Sequence, residues 1–278
     1  LVGGSQNVSG DSAVDFPDDV ALRVRPGAVL MLNAHYLNTT ADDLDAQVRI
    51  NLWTIPEEQL VHEGDILFWY NVFIEVPEMG ASRAHMRCTV PEDITLTTMQ
   101  SHMHARGVGY SANVVGDAPF YMNDHWENVP VMTFPEGKTI AGGSTVEYWC
   151  DYDNAEARTV YQGPRSTDEM CMLIGSYYPA QPGLGNCAAD PERPWQTTSL
   201  GADWVGDGSA SCAETLGCVQ AGAEADDFFQ HLQGCVAHSD PAVSAEMSDA
   251  VRCVLLSFSD GEDPMSACSP EITTCLSM

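Results

Sequence analysis

Up to about residue 187, apolar positions come in short runs bounded by Pro, Gly and Asp, and nothing between the runs has a helical period. Ala28–Tyr36 and Asp65–Ile74 have the length and β-branched or aromatic content of strands. Ile94–Gln100, Val108–Val115, Ser144–Cys150 and Met172–Tyr178 read the same way. Many short strands separated by turn signals predict an antiparallel β-sandwich or jelly roll. Residues 188–210, rich in Pro, Gly and Asp, read as a linker. Beyond it the period changes to helical. Phe228, Leu232, Cys235 and Val236 share one face, as do Val243, Met247, Val251, Val254 and Leu255 after the helix start at Ser239-Asp240-Pro241.

Cysteine usage sharpens this outline. None of the ten cysteines forms a Cys-x-x-Cys pair, so disulfides are expected rather than a zinc ribbon. That places the protein in an oxidising setting: secreted, periplasmic or at a cell surface. Six of the ten lie in residues 211–278, a segment with little core of its own, which predicts a small disulfide-stapled helical module with its pairing left open. Asn7-Val8-Ser9 and Asn38-Thr39-Thr40 are glycosylation sequons.

Charge mainly excludes. With 40 acidic against 11 basic residues and a net charge of −29, nucleic acid is not an expected partner. Anionic membrane surfaces are disfavoured for the same reason. No apolar run approaches the roughly 18 residues of a membrane span. The chain starts at Leu1 with no signal peptide and is read as a processed or truncated form.

The sharpest chemical feature is Gln100-Ser101-His102-Met103-His104-Ala105-Arg106-Gly107. Residues two apart on a strand point to one face with Cα atoms roughly 6.5–7 Å apart, so His102 and His104 can converge on one metal ion. Alone, the pair is weak, since two histidines on a half-exposed strand are commonly ordinary polar residues. Ser166-Thr167-Asp168-Glu169-Met170-Cys171 supplies a third donor in Met170, a thioether of the kind that favours Cu(I).

With both segments in this order, the sequence resembles the catalytic domain of the copper type II ascorbate-dependent monooxygenases, the family of peptidylglycine α-hydroxylating monooxygenase and dopamine β-hydroxylase. The resemblance implies that His102, His104 and Met170 hold the oxygen-activating copper and that ascorbate supplies electrons. His35-Tyr36-Leu37-Asn38 matches a segment whose histidine, here His35, is a ligand of the second, electron-storing copper. The resemblance also implies the disulfides Cys88–Cys187 and Cys150–Cys171. It runs from about residue 20 to residue 187 and divides the chain into four parts. Residues 1–55 become the closing part of a first β-sandwich domain, 56–187 the methionine-copper sandwich, 188–210 the linker and 211–278 the helical module.

Two departures qualify what carries over. The second copper also takes an adjacent His-His pair, and this chain has none. A preceding segment or a separate chain is therefore expected to supply those ligands. His62, His85 and His125 have no spacing that recommends them as substitutes. The family's peptide-amidating members grip a carboxylate at positions that here are Gln100, Met172 and Ile174, none of which is charged. The expected activity is hydroxylation of a C–H bond in a small, neutral or apolar substrate rather than a glycine-extended peptide. Trp69, Trp126 and Trp149 are candidates to line the cleft. The alternatives are a non-catalytic copper-binding or structural surface protein and, less favoured, a zinc hydrolase using the Asp168 and Glu169 carboxylates.

Overall fold

The computed structural model describes residues 15–32, 34, 38, 40–45, 47–193, 199–223 and 225–278. The described strands are β1 (Val20–Leu22), β2 (His62–Asn71), β3 (Glu75–Val76), β4 (Ala81–Thr89), β5 (Ile94–Met103), β6 (Gly107–Val114), β7 (Tyr121–Asn123), β8 (Met132–Ile140), β9 (Thr145–Asp153), β10 (Val160–Tyr161), β11 (Cys171–Tyr178) and β12 (Asp203–Val205). The helices are α1 (Cys212–Ala221), α2 (Phe228–Ala237), α3 (Ser244–Asp260), α4 (Pro264–Ala267) and α5 (Ser269–Leu276).

Alternation decides which side of each strand meets the core. In β9, Val146, Tyr148, Cys150 and Tyr152 are buried while their neighbours are more exposed; in β4, Ala84, Met86 and Cys88 do the same. These strands lie in a five-stranded sheet of order β12-β4-β9-β6-β7, antiparallel throughout. The facing sheet has the order β1-β2-β11-β5-β8, antiparallel except for the β1–β2 pair. Its inward side presents Leu67, Trp69, Met103 and Leu173, each at most 2% exposed, to Met86, Tyr110 and Tyr148 of the second sheet. The Tyr148 hydroxyl donates across the gap to the Trp69 carbonyl at 3.0 Å, and Trp69 Nε1 donates to the Leu184 carbonyl at 2.7 Å. β3 and β10 form a separate two-stranded ribbon at one end. The architecture is a β-sandwich followed by helices, as the strand pattern predicts.

All ten cysteines are paired: Cys88–Cys187, Cys150–Cys171, Cys212–Cys275, Cys218–Cys235 and Cys253–Cys268. Cys150 lies on β9 and Cys171 on β11, so their bond joins the two sheets. Cys212–Cys275, Cys218–Cys235 and Cys253–Cys268 staple the helical segment to itself. α1 starts with a capping box between Ser211 and Glu214, α2 with the Asp227 side chain, and α3 ends at Gly261, whose φ of 73° only glycine adopts without cost.

Two stretches depart from expectation. Residues 203–205, inside the expected linker, form β12 and extend the second sheet against β4. Trp204 is buried there with its ring 4.5 Å from Phe73. The pinning continues from α3, where Ser248 Oγ accepts the Trp204 N–H at 2.8 Å and Arg252 donates to the carbonyls of Leu200 and Ala202. In the expected strand 28–36, the described residues are irregular, and Val29 and Met31 are 91% and 90% exposed. Strand-forming composition without a neighbouring strand leaves backbone groups to water and gives no ladder. None of the described helices is long and apolar enough to cross a membrane.

Candidate metal centre

β5 and β11 lie side by side in the first sheet, paired Cys171↔Met103, Met172↔His102 and Ile174↔Gln100. Met103, Cys171, Ser101 and Leu173 point into the core, so His102, Gln100, Met172 and Ile174 occupy the opposite, outer face. The ladder stops at Cys171↔Met103, and His104 and Met170 are the next residues on each chain. His102, His104 and Met170 are all half-buried. The two imidazoles are adjacent, with ring centroids 5.3 Å apart and planes at 73°.

Beyond the ladder, side chains take over the role of backbone pairing. His104 Nδ1 lies 2.9 Å from the Asp168 carbonyl, so Nδ1 carries the proton and Nε2 keeps its lone pair for a metal. Glu169 is 0% exposed, and its carboxylate accepts the N–H of His104 at 3.0 Å and of Arg106 at 2.9 Å. The Arg106 guanidinium completes the arrangement at 3.1 Å from the same carboxylate and reaches Glu156 with its other nitrogen. That hydrogen bond from Arg106 holds the Glu156 carboxyl below its ordinary range. The Met170 carbonyl accepts the Tyr152 hydroxyl at 2.7 Å, and Cys171 is fixed by its disulfide to β9. A buried carboxylate with three N–H donors is a structural clasp between the two donor segments, and it is unavailable as a zinc ligand. Asp168 contributes its backbone carbonyl to the site.

The row across the face continues to Tyr70, which pairs with Met172 from β2. Its hydroxyl accepts from Gln162 Nε2, and burial raises its pKa to about 12. The phenol is therefore a neutral group throughout the physiological range. The sequence singles out none of Tyr70, Gln162 and Arg106, and it offers Glu169 only as a possible zinc ligand. Period-two alternation in β2 placed Tyr70 on one face, but only the register shows that this face holds His102.

The remaining candidates are dispersed. His35 lies outside the described residues. His62 stacks on Tyr178 at 5.2 Å, and His125 is exposed beside Asp124 at 3.2 Å. His85 sits on the outer face of the other sheet, 3.0 Å from Glu147, and burial lowers its pKa to about 4. Trp69 is in the core, Trp149 stands next to His85, and Trp126 packs at the margin of the core. Neither Trp69 nor Trp149 lines the histidine face.

The described residues around His102 and His104 are suited to a soft ion. Two imidazoles and a thioether would make a neutral donor set of the type that Cu(I) prefers, and the neighbouring Glu169 carboxylate is taken up by N–H donors. No curated protein matches the chain. Residues 75–195, which span β3 to β11 and exclude the helices, match the model of the copper type II ascorbate-dependent monooxygenase, C-terminal domain.

Proposed function

We propose that the outer face of the first sheet is the oxygen-activating centre of a copper- and ascorbate-dependent monooxygenase, with His102, His104 and Met170 as the copper ligands. The observation that carries this reading is the lacing of the two donor segments. His104 is oriented through Nδ1 by the carbonyl of Asp168, two residues before Met170. Copper, when bound, supplies oxygen activation and C–H hydroxylation with electrons from ascorbate. The protein fixes the donors on a rigid ladder, orients one imidazole through its second nitrogen, and shields the site with half-buried apolar neighbours.

The substrate belongs to the neutral or apolar class. Gln100, Met172 and Ile174 flank the ligand pair and offer no positive charge to a carboxylate, while Arg106 is committed to Glu169 and Glu156. A glycine-extended peptide is a poor fit for such a face, because a desolvated carboxylate needs a strong donor. The complete reaction takes a second copper, to which His35 belongs, with its other ligands supplied by another segment or chain. The five disulfides favour an extracellular or other oxidising location.

The test is copper stoichiometry with spin resonance on the wild type and on Met170→Leu. One tightly held copper is expected in both. The substitution should weaken Cu(I) binding by more than about tenfold while the Cu(II) signal of the two imidazoles survives. Absence of specific copper, or Cu(I) binding indifferent to Met170, would overturn the assignment.

A further inference from the structure

The helical module lies outside the family match, yet it touches the segment that carries Met170. Gln233, in the middle of α2, is 0% exposed, and its Nε2 donates to Gln162 Oε1 at 3.0 Å. A glutamine buried in a helix face costs free energy unless its polar atoms are used, and this bond uses its donor. Gln162 follows β10 directly and passes the connection on, its own Nε2 donating to the Tyr70 hydroxyl.

Gln162 is also one side of a neck. It bridges to Glu169, the Glu169 N–H donates to the Tyr161 carbonyl at 3.0 Å, and the Gly163 N–H donates to the Glu169 carbonyl at 3.1 Å. Residues 162–169 thus form a closed loop, and Met170 leaves it at the neck. α2 is backed onto the ribbon that feeds this loop: His238 lies 3.2 Å from Glu75 of β3. Gly234 permits the close approach, since a Cβ there would sit 2.2 Å from the Glu75 carboxylate.

We infer that α2 is a positioning element of the metal centre, in which Gln233 acts through Gln162 to hold the neck of the 162–169 loop and so sets the Met170 thioether against the two imidazoles. The inference rests on the reading of His102, His104 and Met170 as copper ligands. It gives the C-terminal module a part in the chemistry, where simple docking would give it a part in stability alone.

The experiment uses the full chain with Gln233→Met, which keeps length and apolar packing and removes the hydrogen bond. Cu(II) and Cu(I) are loaded separately, and amide hydrogen exchange is followed on the metal-free protein. The variant is expected to keep the wild-type Cu(II) stoichiometry and spectrum, which the imidazoles govern. Its Cu(I) affinity should fall by about tenfold, the low end for an outer partner of a ligand. Exchange of the Gly163 and Glu169 amides should accelerate at the same time. Unchanged Cu(I) affinity overturns the inference and leaves the ligand assignment standing. Equal losses for both oxidation states point to a general structural defect and overturn it as well. A wild type that takes up no copper removes the ligand assignment itself, and the inference with it.

Discussion

Replacing Glu169 by glutamine keeps the shape of the side chain and removes its charge at a point where three N–H groups converge. In the wild type one oxygen receives the His104 N–H at 3.0 Å; the other receives the Arg106 N–H at 2.9 Å and its guanidinium at 3.1 Å. The amide has only one acceptor oxygen, so its NH2 must face at least one donor wherever it is placed. A hydrogen bond to a charged group contributes about 1.5–3 kcal/mol, and removing one partner of a buried pair costs about 3–5 kcal/mol. Arg106 retains Glu156 and the Asp168 carbonyl, which puts Glu169→Gln at the low end, about 3 kcal/mol. Urea unfolding with disulfides intact measures this loss. A parallel Cu(I) titration should show weaker binding, because the clasp holds His104 beside the methionine segment. A loss below about 1 kcal/mol at unchanged m-value would refute the reasoning, since the carboxylate would then contribute little to joining the segments.

Two further outcomes concern His85 and the Cys150–Cys171 disulfide. His85 loses affinity for its proton through burial, its pKa falling from 6.5 to about 4, so the unfolded chain binds that proton first as pH drops. Its contribution is complete above pH 6.5, declines between 6.5 and about 4, and amounts to about 3 kcal/mol at most. Denaturant unfolding of His85→Gln across this window should show a correspondingly shallower pH slope, and an unchanged slope would refute the assignment. Replacing both Cys150 and Cys171 by serine opens a closure of 21 residues and should lower stability by about 3 kcal/mol in calorimetry. Cu(I) binding should weaken together with it, because Cys171 adjoins the methionine donor.

Strands β2, β5, β6, β9 and β11 were legible in their apolar runs, whereas β4 and β8, each nine residues long, were not among the expected strands. β12 was not, since its three residues sit among Pro, Gly and Asp and are held by partners on α3, Ser248 and Arg252, more than 40 positions away. The segment 28–32 erred in the other direction: composition promised a strand, but a ladder needs a neighbour that composition does not supply. At the site, His102, His104 and Met170 were visible as donor types in a particular order. Glu169 stood in the same motif as a possible ligand, and its actual partnership with Arg106 depends on burial, which sequence order does not state. The route from Gln233 to Tyr70 joins residues 163 positions apart through a single amide, Gln162. No local pattern encodes such a route.

The donors lie where the β5–β11 ladder gives out rather than in its middle. Backbone pairing frays at such places, so the last rung before solvent opens more readily than the sheet behind it. A metal ion held by His102 and His104 on one chain and Met170 on the other would serve as the rung that the backbone omits. Loading would then slow local breathing around residues 102–106 and 168–172 far more than it raises resistance to global unfolding. The centre would be quiet when filled and pliant when empty, within a sandwich whose core registers little difference.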